Sequence, residues 1–342
     1  MKKNIDISHN KPSLGKDELL SAKKTIKSGW IAQGTEVRFF EDEICNFLGL
    51  PKEHAVCVSS GTAALYLALF AIGASKKKIA IPAYTCSSLK NAIRLIGGKE
   101  VFIDSQKGSP NIDIVHLQKS KYDYAIIPHM YGIPIDLQGI NNKNIIEDCA
   151  QALGAKINGQ FVGLKGELGI LSFYATKLIT SGGQGGMVIS KNKALIDIIR
   201  DYREFDQRRD KKNRFNFQIT DIQASIGRTQ LKKIKYFLHR REIIFNRYKD
   251  AGLDLLDNNE VGVKPIRYRA IWKTNNTHEK INKLAKLGIK TIIPLEEWEL
   301  LEKKELCPNA HVFTQSTVSL PIYPDLTDNE LEYIITQVSS LS

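Results

Sequence analysis

HAVCVSSGTAALYLALFAIG (54–73) reads as a short strand that turns directly into an apolar helix. Residues 54–60 form the strand, and 61–73 form a helix apolar enough to be buried, which Gly73 ends. The same alternation continues downstream. KIAIP (78–82) reads as a strand and TCSSLKNAIRLIGG (85–98) as a helix stopped by two glycines. EVFID (100–104), YAIIPHM (124–130) and NIIED (144–148) are compact apolar runs suited to a sheet covered on both faces. This βαβα rhythm predicts an α/β fold, with a mostly parallel central sheet flanked by helices. Ligands of such folds bind at the carboxyl ends of the strands. Ser60-Gly61-Thr62 and Asp148 both fall at such ends, which sets them above other serines and aspartates.

A long helical stretch is expected from about Thr220 to Asp250, with room for a break. The domain boundary is placed within it, giving a large domain over 1–235 and a smaller C-terminal α+β domain over 236–342. In the smaller part, THEKINKLAKLG (277–288) reads as a helix closed by Gly288. Thr327-Asp328-Asn329-Glu330 is a capping box that opens a final helix. There is no internal repeat.

Composition narrows the class of function. With 42% hydrophobic and 25% charged residues, the 342-residue chain reads as an ordinary globular protein. It has no apolar stretch near the ~20 residues of a membrane span. The opening MKKNIDISHNKPSLGKDELL lacks the apolar block of a secretory signal. The five cysteines are odd in number and scattered, so reduced thiols and a cytoplasmic location are expected. The seven histidines are dispersed without ligand spacing, and no metal is expected. The net charge of +12 suits an anionic small molecule. Its densest block, RRDKKNR (208–214), lacks interleaved aromatics, so no nucleic-acid partner is expected.

The chemistry is concentrated in SFYATKLITSGGQGGMV (172–188), which sets Lys177 between an apolar run and a glycine loop. Taken singly, Lys177 reads as a surface lysine, Asp148 as a turn cap and Thr62 as part of a helix cap. Together they supply an amine nucleophile, an acid for a pyridinium nitrogen and a helix N-terminus for a phosphate. Those are the requirements of pyridoxal 5'-phosphate (PLP). A dinucleotide or P-loop site is not expected: no GxGxxG joins the first strand and helix, and GGQGG lacks the Lys-Ser/Thr that follows a P-loop.

Eight landmarks, two of them within the stretches above, follow one another: GWIAQGTEVRFFEDE (29–43), SSGTAALYLAL (59–69), PAYTC (82–86), PHMYG (128–132), EDCAQALGA (147–155), SFYATK (172–177), FNFQITDIQASIGRTQL (215–231) and VSLPIYPDLTD (318–328). In order and spacing the chain resembles the DegT/DnrJ/EryC1/StrS family of PLP-dependent aminotransferases, most of which act on nucleotide-linked keto-sugars. The resemblance implies PLP-dependent transferase fold type I, the aspartate-aminotransferase-like fold, working as a homodimer with shared sites. It implies ping-pong transfer of an amino group from an amino acid, by family habit L-glutamate, to a keto-sugar through a Lys177 Schiff base. Lys177 would then carry the proton, and Asp148 would pair with the ring nitrogen. Gln151 matches a position near the phenolic oxygen, with Ala150 and Ala152 small enough to admit the ring. Gly61, Thr62 and Ser172 match the phosphate contacts, and Asn216 a contact to the partner subunit's phosphate.

Several positions depart from the family pattern. Cys86 stands where an aromatic ring usually stacks on the cofactor, with Tyr84 nearby as a candidate substitute. Gln218 replaces a common arginine and Gln184 a frequent acid, and 262–294 lacks landmarks. Arg208, Arg209 and Arg214, just before Asn216, are candidates for a nucleotide diphosphate, with a mobile, solvated loop as the equal alternative. The alternatives are a fold-type-I enzyme with a non-nucleotide acceptor, a sugar dehydratase and a non-catalytic binding or regulatory relative. Retention of Lys177 argues against the dehydratase, whose lysine is replaced by histidine. Lys177 and Asp148 together argue against the non-catalytic relative.

Overall fold

The apolar runs become strands and the segments between them become helices. The computed structural model describes residues 6–140 and 142–341. Helices α1 (Lys16–Lys27) and α2 (Thr35–Leu48) lead into β1 (Ala55–Val58) and α3 (Gly61–Ala71). The alternation continues through β2 (Lys78–Pro82), α4 (Ser88–Leu95), β3 (Lys99–Ile103), α5 (Ile114–Lys119), β4 (Tyr124–Pro128) and β5 (Ile145–Asp148). A short excursion, β6 (Lys156–Ile157) and β7 (Gln160–Phe161), precedes β8 (Leu168–Ser172), β9 (Gly186–Ile189) and α6 (Lys193–Arg203). The expected long helix is two: α7 (Asp221–Lys232) and α8 (Ile234–Asp250), which break at Lys233.

Seven strands form the central sheet in the order β1-β9-β8-β5-β4-β2-β3. From β8 to β3 every pairing is parallel, as the compact apolar runs implied. β9 is the exception: it runs antiparallel to both β8 and β1, because the loop after β8 folds straight back as a hairpin. As a result β1, β4, β5 and β8 all point the same way, and their carboxyl ends share one edge. The amino end of β9 lies on that edge too, with Gly186 opposite both Ser172 and Val58.

The remainder comprises β10 (Val263–Lys264), β11 (Ala270–Lys273), α9 (Thr277–Lys286), α10 (Pro308–Gln315), β12 (Thr317–Leu320) and α11 (Asp328–Ser339). β11 and β12 pair antiparallel. Ile244, Tyr248, Trp272, Val318, Leu331 and Ile334 pack into a cluster of their own, which we propose as the interior of a domain beginning at residue 236. The capping box is formed as expected: Thr327 Oγ1 accepts from the Glu330 amide, and the Glu330 carboxylate accepts from the Thr327 amide. Among the described residues, no helix is long and apolar enough to cross a membrane.

Candidate active site

A cleft of about 260 Å³ opens at the shared edge of the sheet. Its walls include Gly61, Thr62, Asp148, Gln151, Ser172 and Lys177, so six of the seven expected site residues come together. They arrive from three strand ends and one hairpin loop, separated by up to 116 positions in sequence.

The turn from β1 into α3 makes one wall. Ser60 caps the helix, its Oγ accepting from the Ala63 amide at 3.1 Å. The amides of Gly61 and Thr62 have no acceptor among the described residues, and the first turn carries no acid. Unspent amides at a helix N-terminus form a site for a phosphate dianion. Ser172 closes it: a Cβ added to Gly61 would lie 3.2 Å from the Ser172 Oγ. Gly186 allows the approach, since a Cβ there would come within 2.3 Å of the Ser60 carbonyl oxygen. The donor set thus fits the phosphate of PLP.

Asp148 ends β5 at the floor of the cleft, 9% exposed. Oδ1 accepts from the Ala150 amide at 2.9 Å, and Oδ2 has no hydrogen-bond partner among the described residues. Burial raises its pKa above the ordinary carboxylate value; the Ala150 bond and the charge of Lys177 offset this only in part. A buried acid with one oxygen unspent fits a cationic ring nitrogen.

Lys177 lies on the loop between β8 and β9. Backbone bonds pin that loop: Phe173 N to Gly185 O at 2.9 Å, Ala175 N to Gly183 O at 3.0 Å and Lys177 N to Tyr174 O at 2.9 Å. Gly183, at φ +132°, supplies a conformation that other residues rarely adopt. Nζ has no hydrogen bond or ion pair among the described residues; it stands 5.6 Å from the centroid of the Tyr268 ring.

Gln151 uses Oε1 to accept from the Tyr131 amide at 2.8 Å, and its Nε2, without an acceptor among the described residues, can donate to an oxygen in the cleft. This bond helps hold Tyr131 at φ 57°, ψ 17°, an uncommon conformation for a bulky side chain.

The structure decides three points that the sequence left open or placed otherwise. Tyr84 does not line the cleft in place of Cys86. It is fully buried, its hydroxyl 2.7 Å from that of Tyr131 and its ring edge-on to Phe313, while Cys86 is the residue at the wall. Ala150 lines the cleft, but Ala152 is buried in the core behind it. Arg208 and Arg214 already have acids within their own segment: Arg208 pairs with Glu204 at 2.8 Å, and Arg214 with Asp201 at 3.0 Å and Asp210 at 2.7 Å. Of the three loop arginines, only Arg209 has no ion pair among the described residues.

Asn216 is exposed and lies outside this cleft. Its segment nevertheless runs beside the cofactor turn, with the Phe217 carbonyl accepting from the Ser59 amide at 2.8 Å. Sequence reading gave no role to His129, which lines the cleft. Its Nδ1 accepts from the Ile135 amide at 3.0 Å, so Nε2 carries the proton and donates to Glu147 at 3.0 Å. It stands inside PHMYG, but neither spacing nor composition distinguishes it from a core histidine.

Comparison with known proteins gives a consistent picture. The model of the DegT/DnrJ/EryC1/StrS aminotransferase family matches residues 12–339. The spore coat polysaccharide biosynthesis protein SpsC of Bacillus subtilis is 28% identical, over 99% of this chain and 98% of its own. A GDP-perosamine synthase of Escherichia coli O157:H7 is 28% identical over 96% of each. Spr1654 from Streptococcus pneumoniae, solved in its PLP form, superposes with a TM-score of 0.89 at 24% identity over 98% of each chain.

Proposed function

Because the chain belongs to the DegT/DnrJ/EryC1/StrS aminotransferase family, we propose that it moves an amino group from L-glutamate to a keto-sugar carried on a nucleoside diphosphate. It is a PLP-dependent aminotransferase of sugar biosynthesis. The observation that carries the amino-transfer chemistry is the convergence, in one cleft, of the Lys177 amine, the half-satisfied Asp148 carboxylate and the unspent amides of α3, while the donor and acceptor are read from the family resemblance. When bound, PLP supplies an electron sink for the carbanion left when a substrate carbon loses its proton.

The side chains divide the remaining work. The Gly61 and Thr62 amides, with the Thr62 and Ser172 hydroxyls, would hold the phosphate and so fix the depth of the cofactor. Asp148 would hold the ring nitrogen in its protonated form from the floor of the cleft. Gln151 would orient the phenolic oxygen through Nε2. Lys177 would anchor the cofactor between turnovers. Once an incoming amine displaces it, it would take the proton from the substrate carbon and return it to the cofactor carbon on the other side of the exchanged nitrogen. One site serves both substrates in turn, which gives ping-pong kinetics.

A second copy of the chain would complete the site. Leu19, Leu20, Ile26, Trp30, Ile31 and Phe39, on or beside α1 and α2, are all substantially exposed, an apolar surface suited to association. Asn216 would reach across that contact to the partner's phosphate.

The test is an absorbance titration of the purified holoenzyme. L-Glutamate should abolish the visible band of the lysine-linked cofactor, and one nucleotide-linked keto-sugar should restore it. Restoration only by keto-acids or free ketones would contradict the nucleotide-sugar reading.

A further inference from the structure

Two arginines flank Tyr268, and their surroundings are opposite. Arg267 is fully paired: Nε lies 3.0 Å from Glu242 and Nη1 2.5 Å from Asp257. Arg269 has no carboxylate within ion-pair distance among the described residues. Its Nη1 meets only neutral acceptors, His9 Nε2 at 3.2 Å and Ser319 Oγ at 3.3 Å. Its Nε is buried without a hydrogen-bond partner among the described residues.

The neighbours add to the imbalance. Arg241, fully buried, gives Nη1 to the carbonyls of Tyr268 at 3.1 Å and Ile322 at 2.8 Å, and it too has no acid partner among the described residues. Lys177 Nζ stands over the same Tyr268 ring, 5.6 Å from the centroid, that the Arg269 guanidinium approaches to 5.7 Å. His9 cannot share the positive charge: burial, then Arg269 and Arg241, lower its pKa to about 3. A guanidinium can only donate, so His9 Nε2 accepts and the ring is neutral. Elsewhere the fold provides acids for its buried guanidinium groups, Glu41 for Arg203 and Asp201 for Arg214. For Arg269, half-buried, and Arg241, fully buried, it provides none among the described residues, and a buried cation left uncompensated is costly.

We infer that Arg269 is the subsite for a carboxylate of the amino-acid donor. The inference rests on the aminotransferase reading and assigns to it a residue in a segment without family landmarks. The chemistry favours a carboxylate over a diphosphate. An amino acid carries its α-carboxylate on the very carbon whose amine is exchanged, so the subsite must lie close to Lys177. A nucleoside diphosphate is separated from the reacting carbon of the sugar by part of a ring, and its cations belong farther out. The cofactor phosphate already has its cradle at α3. A planar guanidinium fork matches a carboxylate bidentately. Its platform is rigid, because the Arg269 guanidinium also lies 5.8 Å from the Tyr131 ring, which Gln151 and Tyr84 hold in place.

The test is calorimetric titration of the holoenzyme with glutarate, which has the carboxylates of glutamate but no amine to transfer. Arg269→Gln should weaken glutarate binding about 10- to 100-fold and raise the KM for glutamate comparably. The KM for the keto-sugar should stay within about twofold, and Arg269→Lys should lose less than Arg269→Gln. Unchanged glutarate affinity in a folded Arg269→Gln, or a loss confined to the keto-sugar KM, overturns the inference. A second arm needs no variant: the wild-type enzyme should bind glutarate at least about tenfold more tightly than uncharged glutaramide, and equal binding overturns the inference as well. Failure of the aminotransferase reading itself is a different result, since the wild type would then transfer no amino group to any acceptor.

Discussion

The last two residues of β5 are both acids, they leave the strand on opposite faces, and their surroundings are opposite. Glu147 faces the packed side and is saturated. It accepts from His129 Nε2 at 3.0 Å and from the amides of Gly163, Lys165 and Gly166 at 2.9, 2.7 and 2.7 Å. Burial works to raise its pKa, but the His129 bond and the backbone donors outweigh burial and lower it. Asp148 faces the cleft with a single amide bond, and for it burial wins. A buried acid that the fold satisfies secures the fold. One that it leaves short can take a cationic ligand. Arg267 and Arg269 repeat the contrast with the charges reversed.

Exchanging each acid for its amide breaks this comparison most directly. Asp148→Asn should lower kcat by about 10²–10³-fold, the scale for removing a preorganised electrostatic partner. The apoprotein should be no less stable and, at neutral pH, more stable, because an unsatisfied buried charge is gone. The sign follows from linkage. A carboxyl group whose folded pKa is raised above its unfolded value costs stability once the pH exceeds the unfolded value. Thermal melts of variant and wild-type apoprotein should therefore converge as pH falls through the raised pKa. Lower stability of the variant at neutral pH would refute the contrast.

Glu147→Gln should do the reverse, costing about 2–4 kcal/mol of stability, measured by urea unfolding, because an amide NH2 would face backbone N–H donors. The folded pKa of Glu147 is lowered, so its stabilisation is present above the unfolded pKa and lost as pH falls through the folded one. The difference from wild type should shrink in acid. Next in size is Gly186→Ala, whose new methyl would meet the Ser60 carbonyl at 2.3 Å. Overpacking of this kind costs about 1–3 kcal/mol. Displacing the Ser60–Gly61 turn should also weaken PLP retention in dialysis. The smallest effect is Thr327→Ala, which removes a helix cap remote from the cleft. It should cost about 1 kcal/mol and leave kcat unchanged.

These contrasts also mark what the sequence could disclose. The parallel strands were legible because strands buried on both faces become compact apolar runs. The cleft residues were legible because they fall at strand ends, or in the loops just after them, within landmark motifs. β9 was not, since GMVI becomes an antiparallel strand by folding back on β8 and by pairing with β1, some 130 residues earlier. Nothing in IRYRAIW (266–272) says that its first arginine finds Glu242 and Asp257 while its second finds no acid among the described residues. The left-handed backbone of Tyr131 and the burial of Tyr84 are likewise tertiary outcomes, set by Gln151, Phe313 and each other.

The central claim is that the Lys177 amine holds the cofactor above Asp148. Borohydride reduction of the holoenzyme, followed by proteolysis and peptide mass spectrometry, tests it most directly. A phosphopyridoxyl group on Lys177 is the expected result. The label on another lysine, or on none while PLP is retained, would contradict it.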